Sequence, residues 1–323
     1  MRQRLAPILG LMLAAALALP AATVAAGPAQ AEHDRILAHW TPARMATATP
    51  RDFIRDAKGN FEAKGKPSPG GGSVTGASWN GGGPIVYLSG KVYFEMGGGA
   101  WICSGSVVND KKRRGYSLVL TAGHCAIDAT TGEFATNWMF IPDFDGAPSY
   151  TCSATVYGCW TSVGLVVHYG FATAGAFNTQ ATTHDWAFAV VGPGGKSNAQ
   201  LDALGSFGIG FPAAVTGASV DAFGYPAGGK YHGSDLTYCA GKTFTDILNA
   251  NLTWGLACDM TGGSSGGPWL ASFRAGSGTL TSLNSYGYGG IKNMYGPIFN
   301  DKTSATYMAA LTSTGNTVVG TAP

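Results

Sequence analysis

The chain has 323 residues, of which 49 are glycine and only 12% are Asp, Glu, Lys or Arg. A hydrophobic fraction of 45% supports a sizeable core, and a net charge of +2 with no basic stripe excludes a nucleic-acid partner.

Met1-Arg2-Gln3-Arg4 is a short basic head, and 5–26 is apolar and rich in Ala and Leu. Ala29-Gln30-Ala31 offers an A-x-A cleavage site. This layout predicts a secretory signal peptide over 1–31. No later stretch is apolar for long enough to span a bilayer, so the expected product is secreted and extracellular, with no membrane partner. The next stretch, 32–78, carries seven Lys/Arg and no cysteine. It closes with Lys64-Gly65-Lys66-Pro67-Ser68-Pro69 and three glycines, which is linker composition. A propeptide with a Gly-rich linker is expected there, cut between about 64 and 83. An arm retained in the mature protein is the alternative. The segment 52–64 is expected to form one short helix.

Nine of the 20 basic and five of the 18 acidic residues precede Trp79, leaving 11 and 13 in 79–323, a balance of about −2. Lys111-Lys112-Arg113-Arg114 is the one basic run and reads as a solvated hairpin turn before Gly115. Helical periodicity is scarce in this part. Short β-branched and aromatic runs recur at 85–88, 91–94, 101–103, 116–120, 163–169, 187–191, 219–223, 268–272 and 296–299. Many short strands with glycine turns predict an all-β barrel or sandwich in one domain. The best helix candidate is 303–311. All six cysteines follow the linker, and an even count in an exported chain implies disulfides. There is no C-x-x-C and no zinc-finger spacing, so no metal is expected.

The chemistry centres on Asp259-Met260-Thr261-Gly262-Gly263-Ser264-Ser265-Gly266-Gly267-Pro268. Glycines leave the hydroxyls bare and let a turn aim successive N–H groups at one point. Such clusters are also common as plain flexible turns. Two other segments change the balance. Thr121-Ala122-Gly123-His124-Cys125 follows a strand-like run, and Asp185 heads another. A hydroxyl nucleophile needs a base, and the base needs an orienting acid.

With Cys103-Ser104-Gly105-Ser106, these segments resemble the chymotrypsin/trypsin-like serine peptidases, secreted bacterial branch, over about 85–310. The resemblance implies two perpendicular six-stranded β-barrels with a short C-terminal helix, the active site lying between them. It implies Ser265 as nucleophile, His124 as base, Asp185 as its orienting acid, and the N–H groups of Gly263 and Ser265 as oxyanion hole. Ser264 is the rival nucleophile, but the family's Gly-x-Ser-Gly-Gly-Pro selects Ser265. It also implies a Cys103–Cys125 bridge. Three pairings remain open for Cys152, Cys159, Cys239 and Cys258, of which the sequential one is preferred. Asp259, six residues before Ser265, falls at the base of the family's specificity pocket, with Ser285, Tyr286, Gly287 and Gly296 as walls. A carboxylate there favours cleavage after Arg or Lys, with large apolar side chains as runner-up. Thr261 stands where trypsin-like enzymes have a cysteine and Cys258 lies seven before Ser265, so the alternative is a loop that turns Asp259 outward as a solvated acid. Glutamate preference fits poorly, because Asn284 stands where that branch uses histidine. The residue before the nucleophile is Ser264 rather than the usual Asp, so activation by an ammonium–Asp pair is not expected. Instead, activation rests on removing the pro segment or on an already ordered oxyanion loop. His168, His184 and His232 are read as structural. The expected partners are protein or peptide substrates, with no cofactor and a monomeric enzyme. An inactive peptidase-fold binding protein and an esterase are the alternatives.

Overall fold

The computed structural model describes residues 28–55, 61–64, 75–112, 115–144, 151–212 and 214–321. The basic head and most of the predicted signal peptide lie outside the described residues. Helices α1 (Pro28–His39) and α2 (Pro42–Thr47) lead into short strands β1 (Thr49–Pro50), β2 (Asp52–Arg55), β3 (Phe61–Lys64) and β4 (Ala77–Ser78). Helix α3 (Pro84–Leu88) precedes the six strands of the first half. These are β5 (Ser89–Met96), β6 (Gly99–Val108), β7 (Ser117–Thr121), β8 (Thr136–Pro142), β9 (Trp160–His168) and β10 (Ala187–Val191). Helices α4 (Tyr169–Ala172) and α5 (Thr179–Thr183) interrupt the last two. The second half holds β11 (Gly208–Ile209), β12 (Ser219–Gly224), β13 (Thr237–Lys242), β14 (Phe244–Thr245) and β15 (Thr253–Ala257). It continues with β16 (Pro268–Arg274), β17 (Ser277–Leu283), β18 (Tyr286–Tyr288) and β19 (Ile291–Pro297). Helix α6 (Asp301–Ala310) and β20 (Thr317–Val319) end the chain.

The first half is a closed barrel. Its order is β6-β5-β8-β9-β10-β7, and β7 pairs back to β6. Closure leaves no open edge among these six strands. Leu118, Val119, Leu120, Val166, Val167 and all of β10 are fully buried, which explains why these strands read as continuous apolar runs. The basic run does lie at the β6–β7 connection, where Lys111 and Lys112 take positive φ; Arg113 and Arg114 lie outside the described residues.

The second half departs from the expected second closed barrel. Its strands form two six-stranded sheets, β11-β17-β16-β12-β13-β4 and β14-β15-β19-β18-β2-β3. Two seams lack a ladder among the described residues. At β17/β19, a Cβ on Gly296 would lie 2.0 Å from Leu283 O, so the backbones press together instead of pairing. Isolated bonds bridge this seam, from Ser282 Oγ to Pro297 O at 2.8 Å and from Ser285 N to Tyr295 O at 2.8 Å. At β13/β15 the link is the Cys239–Cys258 disulfide. Cys103–Cys125 and Cys152–Cys159 are also formed, so the sequential pairing holds throughout.

Two local expectations are corrected. The segment 52–64 holds strands β2 and β3 at the edge of β18 rather than a helix; sheet pairing overrides a weak helical preference. The run 85–88 belongs to α3, because Pro84 in the first turn is pre-set for a helix and Ile85 and Leu88 bury one face. The predicted C-terminal helix is present as α6. Asn300 caps it through the backbone N–H groups of Lys302 and Thr303.

Candidate active site

Asp185 stands just before β10 with no solvent exposure, and His124 sits on the short turn after β7 with 1%. Asp185 Oδ1 accepts the His124 backbone N–H at 2.8 Å, and Oδ2 pairs with His124 Nδ1 at 2.8 Å. Ser285 Oγ donates to the same Oδ2. A carboxylate only accepts, so Nδ1 carries the ring hydrogen. His124 Nε2 is buried and has no hydrogen-bond partner among the described residues. The fit is close. A Cβ on Gly123 would lie 3.1 Å from Asp185 Oδ1, and the Cys103–Cys125 bridge fixes the other side of the turn.

Ser265 is 3% exposed, between Gly263 (φ 95°) and Gly266 (φ 83°). A Cβ on Gly266 would lie 2.3 Å from Ser104 O and from Thr121 Oγ1, so only glycine fits there. Ser104 ties this turn to the first barrel. Its N–H donates to Ser265 O at 2.7 Å, and its Oγ donates to Gly263 O at 2.8 Å. Cys125 Sγ is 3.9 Å from Ser265 O, which brings the two turns side by side. Among the described residues no acceptor takes the N–H of Gly263 or of Ser265. Ser264 is different. Its Oγ is spent on Thr261 O at 2.8 Å inside its own loop.

Residues 87–161 match the family described as lysyl endopeptidase, C-terminal domain. The structure of the protease Anisep from Arthrobacter nicotinovorans is 35% identical, covering 74% of this chain and 100% of that one, with a TM-score of 0.62. The thermostable serine protease AL20 from an extremophilic microorganism is 32% identical over 71% of this chain and 100% of its own, with a TM-score of 0.60. This chain belongs to the chymotrypsin/trypsin-like serine proteases. A Glu endopeptidase structure shares the fold at 18% identity, with 77% and 99% of the two chains covered and a TM-score of 0.53. No curated protein matches the chain.

As a member of this family, the protease should carry a side-chain pocket near Asp259. Asp259, Tyr286 and Gly287 do line one cleft, with Met260, Tyr288 and Met294. Ser285 faces Asp185 instead, and Gly296 packs into the β17/β19 seam; neither lines the cleft. Tyr286 turns its hydroxyl away to Asp246 Oδ2 at 2.7 Å. The Asp259 carboxylate is already paired within the protein. Asp259 accepts Gly76 N–H at 2.7 Å, Lys230 Nζ at 2.7 Å and the Tyr231 hydroxyl. These three donors line a separate outer pocket and occupy the carboxylate. Burial raises the Asp259 pKa, but the Gly76 amide, Lys230 and Tyr231 outweigh it and hold the carboxyl below its ordinary range.

Sequence reasoning gave Ser104 no role and missed Lys230, Tyr231 and Phe177. Ser104 was visible beside Cys103, whereas a loop phenylalanine carries no local signal. The other histidines stay outside the site: His168 and His184 stack on each other at 4.7 Å, and His232 lines the outer pocket. The one His/Cys cluster among the described residues, Cys103, His124 and Cys125, has both sulfurs in a disulfide and offers no thiolate to a metal.

Proposed function

We propose that this protein is a secreted serine endopeptidase working through an acyl-enzyme. The observation that carries the reading is the His124 ring, with Nδ1 held by buried Asp185 and Nε2 left unpartnered beside the Ser265 turn. Ser265 Oγ attacks the substrate carbonyl as its proton passes to Nε2. The N–H groups of Gly263 and Ser265 receive the oxyanion, and Nε2–H then protonates the leaving amine. Water repeats the sequence on the acyl group and frees Ser265. Asp185 holds the ring tautomer and balances the imidazolium; these roles are the family's template.

The cleft supports apolar side chains over Arg and Lys. Its floor and walls bring Met260, Met294 and Tyr288, while the charge of Asp259 is already matched by Lys230. Export is supported by three disulfides, which persist in oxidising compartments. No helix of the described residues is long and apolar enough to cross a membrane.

The test is labelling of the mature protein by a fluorophosphonate. The tag is expected on Ser265, with loss of both tag and peptide cleavage in Ser265→Ala and neither lost in Ser264→Ala. A folded protein that takes no label is a binding module. Ester turnover without peptide cleavage makes it an esterase.

A further inference from the structure

The segment before the catalytic domain crosses the cleft. β1 pairs in parallel with β6, placing Pro50 opposite Ile102. Then β2 pairs in parallel with β18, placing Ile54 opposite Gly287. The path between them runs over the candidate site. Phe53 meets the His124 ring edge-on at 5.3 Å and stacks on Phe177 at 4.0 Å. Phe177 packs edge-on against the same imidazole at 5.6 Å, beside Phe53. Arg51 Nε donates to His124 O at 3.0 Å, and its Nη2 pairs with Asp128 at 3.0 Å. On the opposite wall, a Cβ on Gly262 would lie 2.7 Å from Asp52 Cβ and 2.9 Å from Pro50 Cβ. The strap therefore rests on the nucleophile loop itself. Asp52 and Ile54 line the cleft beside Asp259 and Gly287, and the space left in it is about 50 Å³. That holds a water or two and no side chain.

An anchor on the outer face of the first barrel holds the strap taut. Ile36, Trp40 and Met45 are buried at 2–3% exposure. Trp40 Nε1 donates to Asn137 O at 2.6 Å, His39 Nε2 pairs with Glu95 at 2.8 Å, and His33 Nδ1 bonds Thr161 Oγ1 at 2.9 Å.

We propose that residues 49–55 are a built-in inhibitory strap, which blocks His124 and Ser265 without offering a bond for cleavage; this rests on the serine-peptidase reading. A bond is open to attack only when its carbonyl reaches the oxyanion donors. None of the strap's carbonyls is bonded to Gly263 N–H or Ser265 N–H. The strap therefore excludes substrate while escaping hydrolysis itself, and relief requires a cut elsewhere in the N-terminal segment. The partner that fits this surface is the chain's own 28–55.

Secreted protein is exposed briefly to a bulky biotinylated fluorophosphonate, and precursor and mature bands are resolved on a gel. The precursor band is expected to label at least ten times more slowly than the mature band. In precursors carrying Phe53→Ala or Arg51→Ala the gap should narrow several-fold, while the mature band, which has lost the strap, labels at an unchanged rate. The released N-terminal segment should keep its 49–55 bonds intact by mass spectrometry. Equal labelling of both unmodified bands overturns the strap. So does slow precursor labelling unchanged in both variants, with circular dichroism showing them folded. So does a released segment cut within 49–55. If the mature band also fails to label, the serine-peptidase reading fails instead.

Discussion

Two buried carboxylates, one in each half, have three hydrogen-bond donors apiece and different surroundings. In the closed barrel, Asp185 takes the His124 N–H, His124 Nδ1 and Ser285 Oγ. None of these is a fixed cation. In the second half, Asp259 takes Gly76 N–H, Tyr231 OH and the Lys230 ammonium. An anion paired with an ammonium is a structural tie, with its charge already answered. An anion held only by neutral donors keeps its charge available to an imidazolium formed in turnover. The contrast separates the two roles where burial alone does not, at 0% and 6% exposure.

The largest expected effect breaks the Asp185 side. An amide at 185 can turn its NH₂ toward Nδ1 and favour the wrong ring tautomer. Asp185→Asn should lower kcat about 10⁴-fold, the loss known for the family template, with an unchanged circular dichroism spectrum. A loss under tenfold would mean that the carboxylate does not set the tautomer.

Asp259 should respond in stability instead of rate. Asp259→Asn keeps an acceptor for Gly76 but drops the ion pair with Lys230. Losing charge-assisted bonds of a buried group costs on the order of 1–3 kcal/mol. For a domain of this size that lowers the melting temperature by roughly 2–12 °C. Turnover of peptides cut after Phe or Leu should stay within about threefold. If kcat on those peptides falls as it does for Asp185→Asn, or if Arg substrates alone are lost, the carboxylate does reach into the cleft.

These regions also differ in how far they could be read from sequence. The His124 and Ser265 turns were legible because each needs glycine at fixed places: Gly123 against Asp185, Gly266 against Ser104 and Thr121. The first-barrel strands were legible from their continuous apolar runs. Asp259 was legible as a position but not as an environment. Lys230 and Tyr231 reach it from a loop about thirty residues away in sequence, and Gly76 from 183 residues away. The strap was misread for the same reason. Local pattern over 52–64 suits a short helix, and only the edge offered by Gly287 and Tyr288 makes 52–55 a strand. The second closed barrel is an implication of the family resemblance and not of the strand patterns; the β17/β19 seam without a ladder depends on the approach of Gly296 to Leu283.

The smallest expected effect tests the comparison in mirror image, with a buried cation that has no anion. Lys91 is 5% exposed and meets no carboxylate among the described residues. Its Nζ donates to Gly233 O at 2.9 Å and lies 4.6 Å from the Phe144 ring centre. Burial lowers its pKa from 10.5 to about 7. Below pH 7 the folded protein carries a buried ammonium, and the full cost of that charge falls on stability. Between pH 7 and 10.5 the unfolded chain still binds the proton while the fold does not, so rising pH favours the fold. Above 10.5 both states are neutral and the penalty is gone. Methionine fills similar space without the charge, and the lost bond to Gly233 costs the same at every pH. Lys91→Met should therefore raise the melting temperature, relative to the unmodified protein, by more at pH 6 than at pH 10. A difference that is flat with pH, or larger at pH 10, would mean that Lys91 is compensated in the fold as fully as Asp259 is.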